Sequence, residues 1–132
     1  MKMKNEQSYY IDEGKAKSGV SRWQAALGNS INGLKFGFKS EAAIREEVIV
    51  LVASIPAAIY LVESVWVRLA MILSVLFVLI IEVLNSAIEA TLDRVSKEHN
   101  LLTKAAKDLG SLAVLLAMIF AVSIWVVAVL MA

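Results

Sequence analysis

Apolar side chains recur at steps of three and four along residues 20–39, a pattern that predicts an amphipathic helix. Three glycines lower its intrinsic helix propensity, so a further interaction must hold it, and a membrane surface would do so. We therefore predict an interfacial helix rather than one packed on a soluble core. Residues 1–19 are polar and aperiodic, which predicts a loose tail without the apolar segment of a secretory signal peptide. The apolar stripe consists of Val20, Trp23, Leu27, Ile31, Leu34 and Phe38.

Three apolar segments follow and predict three membrane-spanning helices. The first has an uncharged run of about 15 residues from Val48, short for a span unless the helix begins near Ala42. The last, "LAVLLAMIFAVSIWVVAVLMA", has about 20 residues without a charge and is the clearest span. The sequence therefore predicts an all-α integral membrane protein with one domain over residues 20–132. The predicted spans are 42–62, 66–94 and 106–131.

Lysine and arginine are distributed unevenly around these segments. Eight precede the uncharged run that begins at Val48 and four lie between residues 94 and 107, whereas Arg68 alone lies between the first two apolar segments. Basic residues concentrate on the cytoplasmic side of membrane proteins. We therefore predict a cytoplasmic amino terminus and second link, with the carboxyl terminus outside.

Composition excludes several classes of function. Among 132 residues, 59% are apolar and the mean hydropathy is +0.72, which suits a bilayer better than a soluble core. The net charge of +1 offers no strong basic field for nucleic acid, and the lack of cysteine excludes disulfides and thiolate metal sites. A serine-histidine-aspartate site would have to use His99, the single histidine. "GNSINGLK" has the glycine spacing of a phosphate loop, but Leu34 replaces the lysine.

Polar residues interrupt the second apolar segment. Glu82, Asn85, Glu89 and Asp93 fall on one stripe of a helix, running from inside the span to its cytoplasmic end. A central acid costs roughly 3 kcal/mol to insert, so the stripe must face other helices or a water-filled cleft. The residues alone leave four interpretations: hydrogen-bonded contacts between helices, a proton or cation relay, a metal site, or a general base.

A second polar cluster, "DRVSKEHNLLTKAAKDLGS", occupies residues 93–111. Lys107 lies where it could meet a phosphate near the membrane surface. An ordinary solvated link with no ligand is the alternative for this cluster.

The two clusters together resemble the signature of the prokaryotic diacylglycerol kinase family. The segment "EVLNSAIEATLDR" is followed closely by "AAKDLGS", and "SEAAIREE" resembles the family's approach to its first membrane helix. The resemblance covers about residues 20–130. Undecaprenol kinases share the core, but "DR" at 93–94 and "KDLGS" at 107–111 look more like the diacylglycerol kinases. The chain departs from the family pattern at "EHN", where E-Y-H is expected.

The resemblance implies a small homotrimer in the bacterial inner membrane. Each protomer would have an amphipathic surface helix and three membrane helices. Active sites would form between neighbouring protomers at the cytoplasmic boundary of the membrane. The reaction implied is transfer of the γ-phosphate of ATP, with Mg²⁺, to diacylglycerol, giving phosphatidate.

The same resemblance implies residue roles. Glu82 would be the general base, and Glu41 and Glu89 would hold Mg²⁺ and thereby ATP. Further residues implied to line the nucleotide are Asn29, Glu98, His99, Asn100, Lys107 and Asp108. Those implied to contact the lipid acceptor are Arg22, Glu82, Asn85 and Ser111.

Three other functions remain as alternatives. Undecaprenol phosphorylation would use the same core. A small proton-coupled multidrug antiporter would explain Glu82 but neither Lys107 nor Asp108. A structural subunit of a larger membrane complex would use Glu82 and Asn85 only to hold helices together.

Overall fold

The computed structural model describes residues 19–95 and 100–132, and every regular element in these ranges is an α-helix. The prediction of an all-α fold is thereby confirmed for the described residues. The predicted tail up to residue 18 and two predicted nucleotide residues, Glu98 and His99, lie outside the described residues. The helices are α1 (Val20–Ser40), α2 (Ala42–Leu61), α3 (Val65–Val95) and α4 (Leu101–Leu130).

The chain divides into two compact units, with the boundary between Lys35 and Phe36. In the first unit, the side chains of Trp23 and Leu27 on α1 are exposed. The last turn of α1 belongs to the second unit, where Gly37 is buried against Ile44.

An arginine stabilises the break between α1 and α2. Glu41 has extended backbone angles, φ −111° and ψ 117°, so the helix stops and restarts at this residue. The Arg45 guanidinium donates hydrogen bonds to the carbonyls of Phe38 and Lys39, at 3.2 and 3.3 Å. These carbonyls lack helical partners at the end of α1, so Arg45 satisfies them.

Arg68 has the same role at the other end of α2. Its Nε donates to the carbonyl of Val62 at 2.6 Å and its Nη2 donates to the carbonyl of Ile59 at 3.1 Å. The one basic residue in the link between the first two apolar segments therefore closes the end of a helix.

Within the second unit, α3 packs against both α2 and α4. Small residues allow the close approach: Ala58 and Ala128 pack with Met71, which is fully buried. The indole Nε1 of Trp125 donates a hydrogen bond to the carbonyl of Met71 at 3.1 Å, which ties α4 to α3. Ala117 and Ala121 form a second cluster with Val78.

Two of the described helices, α3 and α4, are long and apolar enough to cross a membrane. In each, only 22% of the most apolar window is buried within the chain, so most of that surface is left for lipid or other copies. The helix α2 carries Arg45, Glu46 and Glu47 in its first turns, and its uncharged part is shorter than the ~20 residues of a typical span.

The long helices extend past the thickness of a membrane core. With 31 residues, α3 spans roughly 46 Å at 1.5 Å per residue, against ~30 Å of hydrocarbon. The helix α4 begins at Leu101, before the predicted span at residue 106. The end of α3 and the beginning of α4 are therefore positioned to place polar side chains at an interface.

Candidate functional site

The polar stripe on α3 faces inward and is most buried at its apolar end. Glu82 is only 9% exposed, Asn85 and Glu89 are half-buried, and Asp93 is exposed. The apolar neighbours point the other way: Leu84, for example, is 55% exposed. This arrangement, polar inside and apolar outside, is what a helix needs when its surroundings are lipid.

Further carboxylates act on the buried end of this stripe. Glu47, Glu89 and Glu41 all lie close enough to Glu82 to act on it electrostatically. Glu89 shares α3 with Glu82, whereas Glu41 and Glu47 come from the beginning of α2. Glu41 occupies the N-cap position of α2, but its side chain makes no capping hydrogen bond, so the carboxylate remains available to a ligand.

Asn85 links the stripe to α4. Its Nδ2 donates a hydrogen bond to Oε1 of Glu89 at 3.1 Å, which holds one oxygen of that carboxylate. Its Oδ1 is fully enclosed and has no hydrogen-bond partner among the described residues. That oxygen faces the backbone of Gly110 on α4.

Two lysine–aspartate pairs lie where α3 ends and α4 begins. Lys107 Nζ donates to Asp93 Oδ1 at 2.6 Å, and Glu89 also acts on this lysine electrostatically. Lys104 Nζ donates to Asp108 Oδ2, also at 2.6 Å, one turn along the same helix. Lys107 therefore lies between the acidic stripe and the solvent.

The remaining predicted site residues among the described ones lie on α1 or at α4. Asn100 is the N-cap of α4, and its side chain accepts a hydrogen bond from the backbone N–H of Leu102 at 2.8 Å. Ser111 is exposed on α4, and Arg22 and Asn29 are exposed on α1. Asn100 thus has a structural role in addition to the predicted contact with nucleotide.

Sequence reasoning missed two residues of this region. Glu47 was treated as part of the charged approach to an apolar segment, yet it lies close enough to Glu82 to act on it electrostatically. Its position directly before the apolar run "VIVLVASI" was a usable signal, because a charge at that depth needs a partner or a function. Gly110 lies within the motif "KDLGS", but its importance depends on the residue facing it, which the sequence alone does not give.

The donor set suits a hard cation that shares its ligands with a phosphate. The described residues contain no group of three or more histidine, aspartate or glutamate side chains that could hold a metal by themselves. Mg²⁺ is usually bound by one or two carboxylates together with substrate phosphates and waters. Glu41 and Glu89, which both act on Glu82 electrostatically, supply the two carboxylates of that pattern.

Comparison with known proteins shows that the chain is similar to bacterial diacylglycerol kinases. The family model described as prokaryotic diacylglycerol kinase matches residues 28–129. A diacylglycerol kinase of Escherichia coli K12 is 42% identical over 108 residues, covering 82% of this chain and 88% of the relative. One of Pseudomonas aeruginosa is 44% identical over 111 residues, covering 84% and 90%. One of Haemophilus influenzae is 40% identical over 96 residues, covering 73% and 81%.

Proposed function

Because the chain belongs to the prokaryotic diacylglycerol kinase family, we propose that it transfers the γ-phosphate of ATP to the primary hydroxyl of diacylglycerol, giving phosphatidate. The observation that carries the proposal is a buried carboxylate, Glu82, at the apolar end of a stripe whose exposed end meets Lys107. A lipid hydroxyl and a water-soluble triphosphate can approach such a site from opposite directions.

Depth supports the assignment of Glu82 as the general base. Glu82 precedes Glu89 by seven residues on one helix, so it lies about 10 Å deeper at 1.5 Å per residue. A diacylglycerol hydroxyl is held near the headgroup layer, with its acyl chains below. The Glu82 carboxylate would accept the hydroxyl proton as the oxygen attacks the γ-phosphorus and the bond to the β-phosphate oxygen breaks.

The other residues would hold and neutralise the nucleotide. Phosphoryl transfer needs positioning and charge neutralisation more than covalent chemistry. Glu41 and Glu89 would hold Mg²⁺, which when bound supplies positive charge to the phosphate oxygens. Lys107 would exchange Asp93 for a phosphate oxygen. Asn29, Asn100 and Asp108, together with Glu98 and His99, are proposed to line the rest of the nucleotide.

An apolar groove supports a lipid acceptor. A cavity of about 560 Å³ extends from Glu47 between α2, α3 and α4. Beyond Glu47 its lining includes Val50, Val78, Met118 and Trp125. An acyl chain in this groove would bring a glycerol hydroxyl toward Glu47, which acts electrostatically on Glu82. Arg22, Asn85 and Ser111 are proposed to complete the acceptor site.

The proposal extends to assembly and location. We place the protein in the bacterial inner membrane as a homotrimer, with α2, α3 and α4 as three spans. The amino terminus and the link between α3 and α4 would be cytoplasmic, because most lysine and arginine residues lie there.

A phosphate-transfer assay with two acceptors tests the function. Purified protein with radiolabelled ATP should phosphorylate diacylglycerol, and undecaprenol offered in parallel should be a poor substrate. Preferential labelling of undecaprenol would reassign the acceptor. Absence of any ATP-dependent product would leave the antiporter or structural-subunit interpretation.

Glu82→Gln tests the base within that assay. Glutamine keeps the size and hydrogen-bonding capacity of the side chain but cannot accept the proton, so turnover at saturating substrates should fall about 10²–10⁴-fold. The detergent-resistant oligomer should persist. Glu63→Gln, at an exposed position between α2 and α3, is the matched control and should retain normal turnover. A Glu82→Gln protein with more than about a tenth of wild-type turnover would contradict the catalytic role.

A further inference from the structure

At the site, a glycine of α4 faces the side-chain amide of Asn85 on α3. Gly110 is buried on α4, and a β-carbon built on it would overlap Oδ1 of Asn85 and lie 3.2 Å from its Cγ. The three atoms nearest to that β-carbon all belong to Asn85. Because Gly110 has no side chain, the Asn85 amide can occupy the space where a β-carbon would otherwise lie.

Only the nitrogen of the Asn85 side-chain amide, and not its oxygen, makes a hydrogen bond among the described residues. Nδ2 donates to Glu89 at 3.1 Å, whereas the enclosed Oδ1 has no hydrogen-bond partner among the described residues. Rotating the amide by 180° would place its oxygen against the Glu89 carboxylate, an acceptor against an acceptor. The contact with Gly110 and the hydrogen bond to Glu89 therefore depend on the same side-chain orientation.

We propose that Gly110 is a positioning residue for the phosphate-transfer reaction, acting through Asn85 on Glu89. Its lack of a side chain lets Asn85 keep the orientation that aims Nδ2 at Glu89 Oε1. That hydrogen bond holds one oxygen of Glu89 and so sets the direction of the other. The inference rests on the proposed function, because the orientation of Glu89 matters to activity only if Glu89 holds the metal–nucleotide complex.

A simpler role for Gly110 makes a different prediction. Glycine also lets two helices approach closely, and then a β-carbon would disturb packing whatever residue faces it. If Gly110 acts through Asn85, its replacement should have no further effect once the Asn85 amide is gone. A double-mutant cycle separates the two roles, because it measures the part of the loss that depends on Gly110 and Asn85 together.

The experiment uses Gly110→Ala, Asn85→Ala and the double variant in the full-length protein. Hydrogen-bond partners of metal ligands typically contribute about 10–100-fold to activity or metal affinity, so each single variant should lose turnover in that range. Each should also need more Mg²⁺ for half-maximal activity. The double variant should be within about twofold of Asn85→Ala. Gly33→Ala is the control, because a β-carbon there meets nothing within 4 Å.

A binding measurement accompanies the kinetics. Mn²⁺ binding in the presence of a non-hydrolysable ATP analogue, followed by electron paramagnetic resonance, should weaken in both single variants and show the same non-additivity. If Gly110→Ala fails to fold, the double variant should fold, because the Asn85 atoms that the new methyl group would crowd, Oδ1 and Cγ, are removed.

Three results would overturn the inference. They are additive losses in the double variant, an unchanged Mn²⁺ affinity in Gly110→Ala, and failure of Asn85→Ala to restore folding to a misfolded Gly110→Ala. If wild-type protein phosphorylates neither lipid, the proposed function fails separately. The Mn²⁺ cycle then still reports whether Gly110 acts through Asn85.

Discussion

The Lys107 side chain forms a salt bridge with Asp93 and is also accessible from the solvent. Its salt bridge to Asp93 is 2.6 Å long, but the two side chains are 39% and 66% exposed. Ion pairs of this kind typically contribute only about 0–1 kcal/mol to stability. Lys107 can therefore exchange Asp93 for a phosphate at little cost, and Asp93 would keep it near the acidic stripe until nucleotide arrives.

Lys107→Ala should impair the use of ATP and leave the fold intact. A charge-assisted hydrogen bond to phosphate contributes about 1.5–3 kcal/mol, which corresponds to roughly 10–150-fold in kcat/KM for ATP. Steady-state kinetics with saturating diacylglycerol measure this. Lys104→Ala, on the same helix and with its own aspartate partner, should change kcat/KM by about fivefold or less.

Equal losses in the two lysine variants would contradict this assignment. They would mean that the beginning of α4 needs its positive charge in general rather than Lys107 in particular. Normal kinetics in Lys107→Ala would make Lys107 only a solvated charge.

At the scale of elements, α1 and α3 use their apolar surfaces differently. The helix α3 turns Glu82 inward and Leu84 outward, whereas Trp23 and Leu27 on the apolar stripe of α1 remain 71% and 63% exposed. A helix with glycines at 28 and 33 has low intrinsic propensity and needs a partner surface. We propose that the surface is the membrane interface.

Accessibility of labels along α1 tests this proposal. Fluorophores placed singly at positions 23 and 27 in vesicles should be shielded from a water-soluble quencher, because their side chains would lie in the lipid boundary. A fluorophore at position 35, replacing an exposed lysine off the apolar stripe, should be quenched freely. Equal quenching at all three positions would exclude an interfacial α1.

At the scale of the whole molecule, the amount of uncovered apolar surface bears on assembly. The helices α3 and α4 each leave most of their most apolar window exposed, and large side chains such as Phe77 and Phe120 remain partly uncovered beside each other. Lipid covers such surface, but so does another copy of the chain. Carboxylates facing away from lipid favour neighbours that enclose the site.

We propose, from the family resemblance, that the neighbours are two further copies and that the protein purifies from detergent as a trimer. Light scattering corrected for bound detergent should give about three times the 14.4 kDa of one chain, and cross-linking should stop at three copies. The apolar surface left exposed by a single chain explains why a lone chain should be disfavoured. A mass of one or two chains in active protein would exclude the trimer.

Periodicity and charge were enough to derive the helices and the acidic stripe. Steps of three and four specified α1, and long uncharged runs specified α3 and α4, because length and hydropathy are local properties of the chain. The stripe Glu82–Asn85–Glu89–Asp93 followed from the angle between residues on one helix. The family resemblance rested on the same residues, since its motif lies along α3 and the beginning of α4.

Contacts between helices could not be derived in this way. The approach of Glu47 to Glu82, the pairing of Lys107 with Asp93 and the space that Gly110 leaves for Asn85 each join residues on different helices. A helical period determines which residues share a face, but it does not determine the rotation or height at which that face meets its neighbour. Those quantities depend on how the small residues of α2, α3 and α4 interlock, so only tertiary packing decides them.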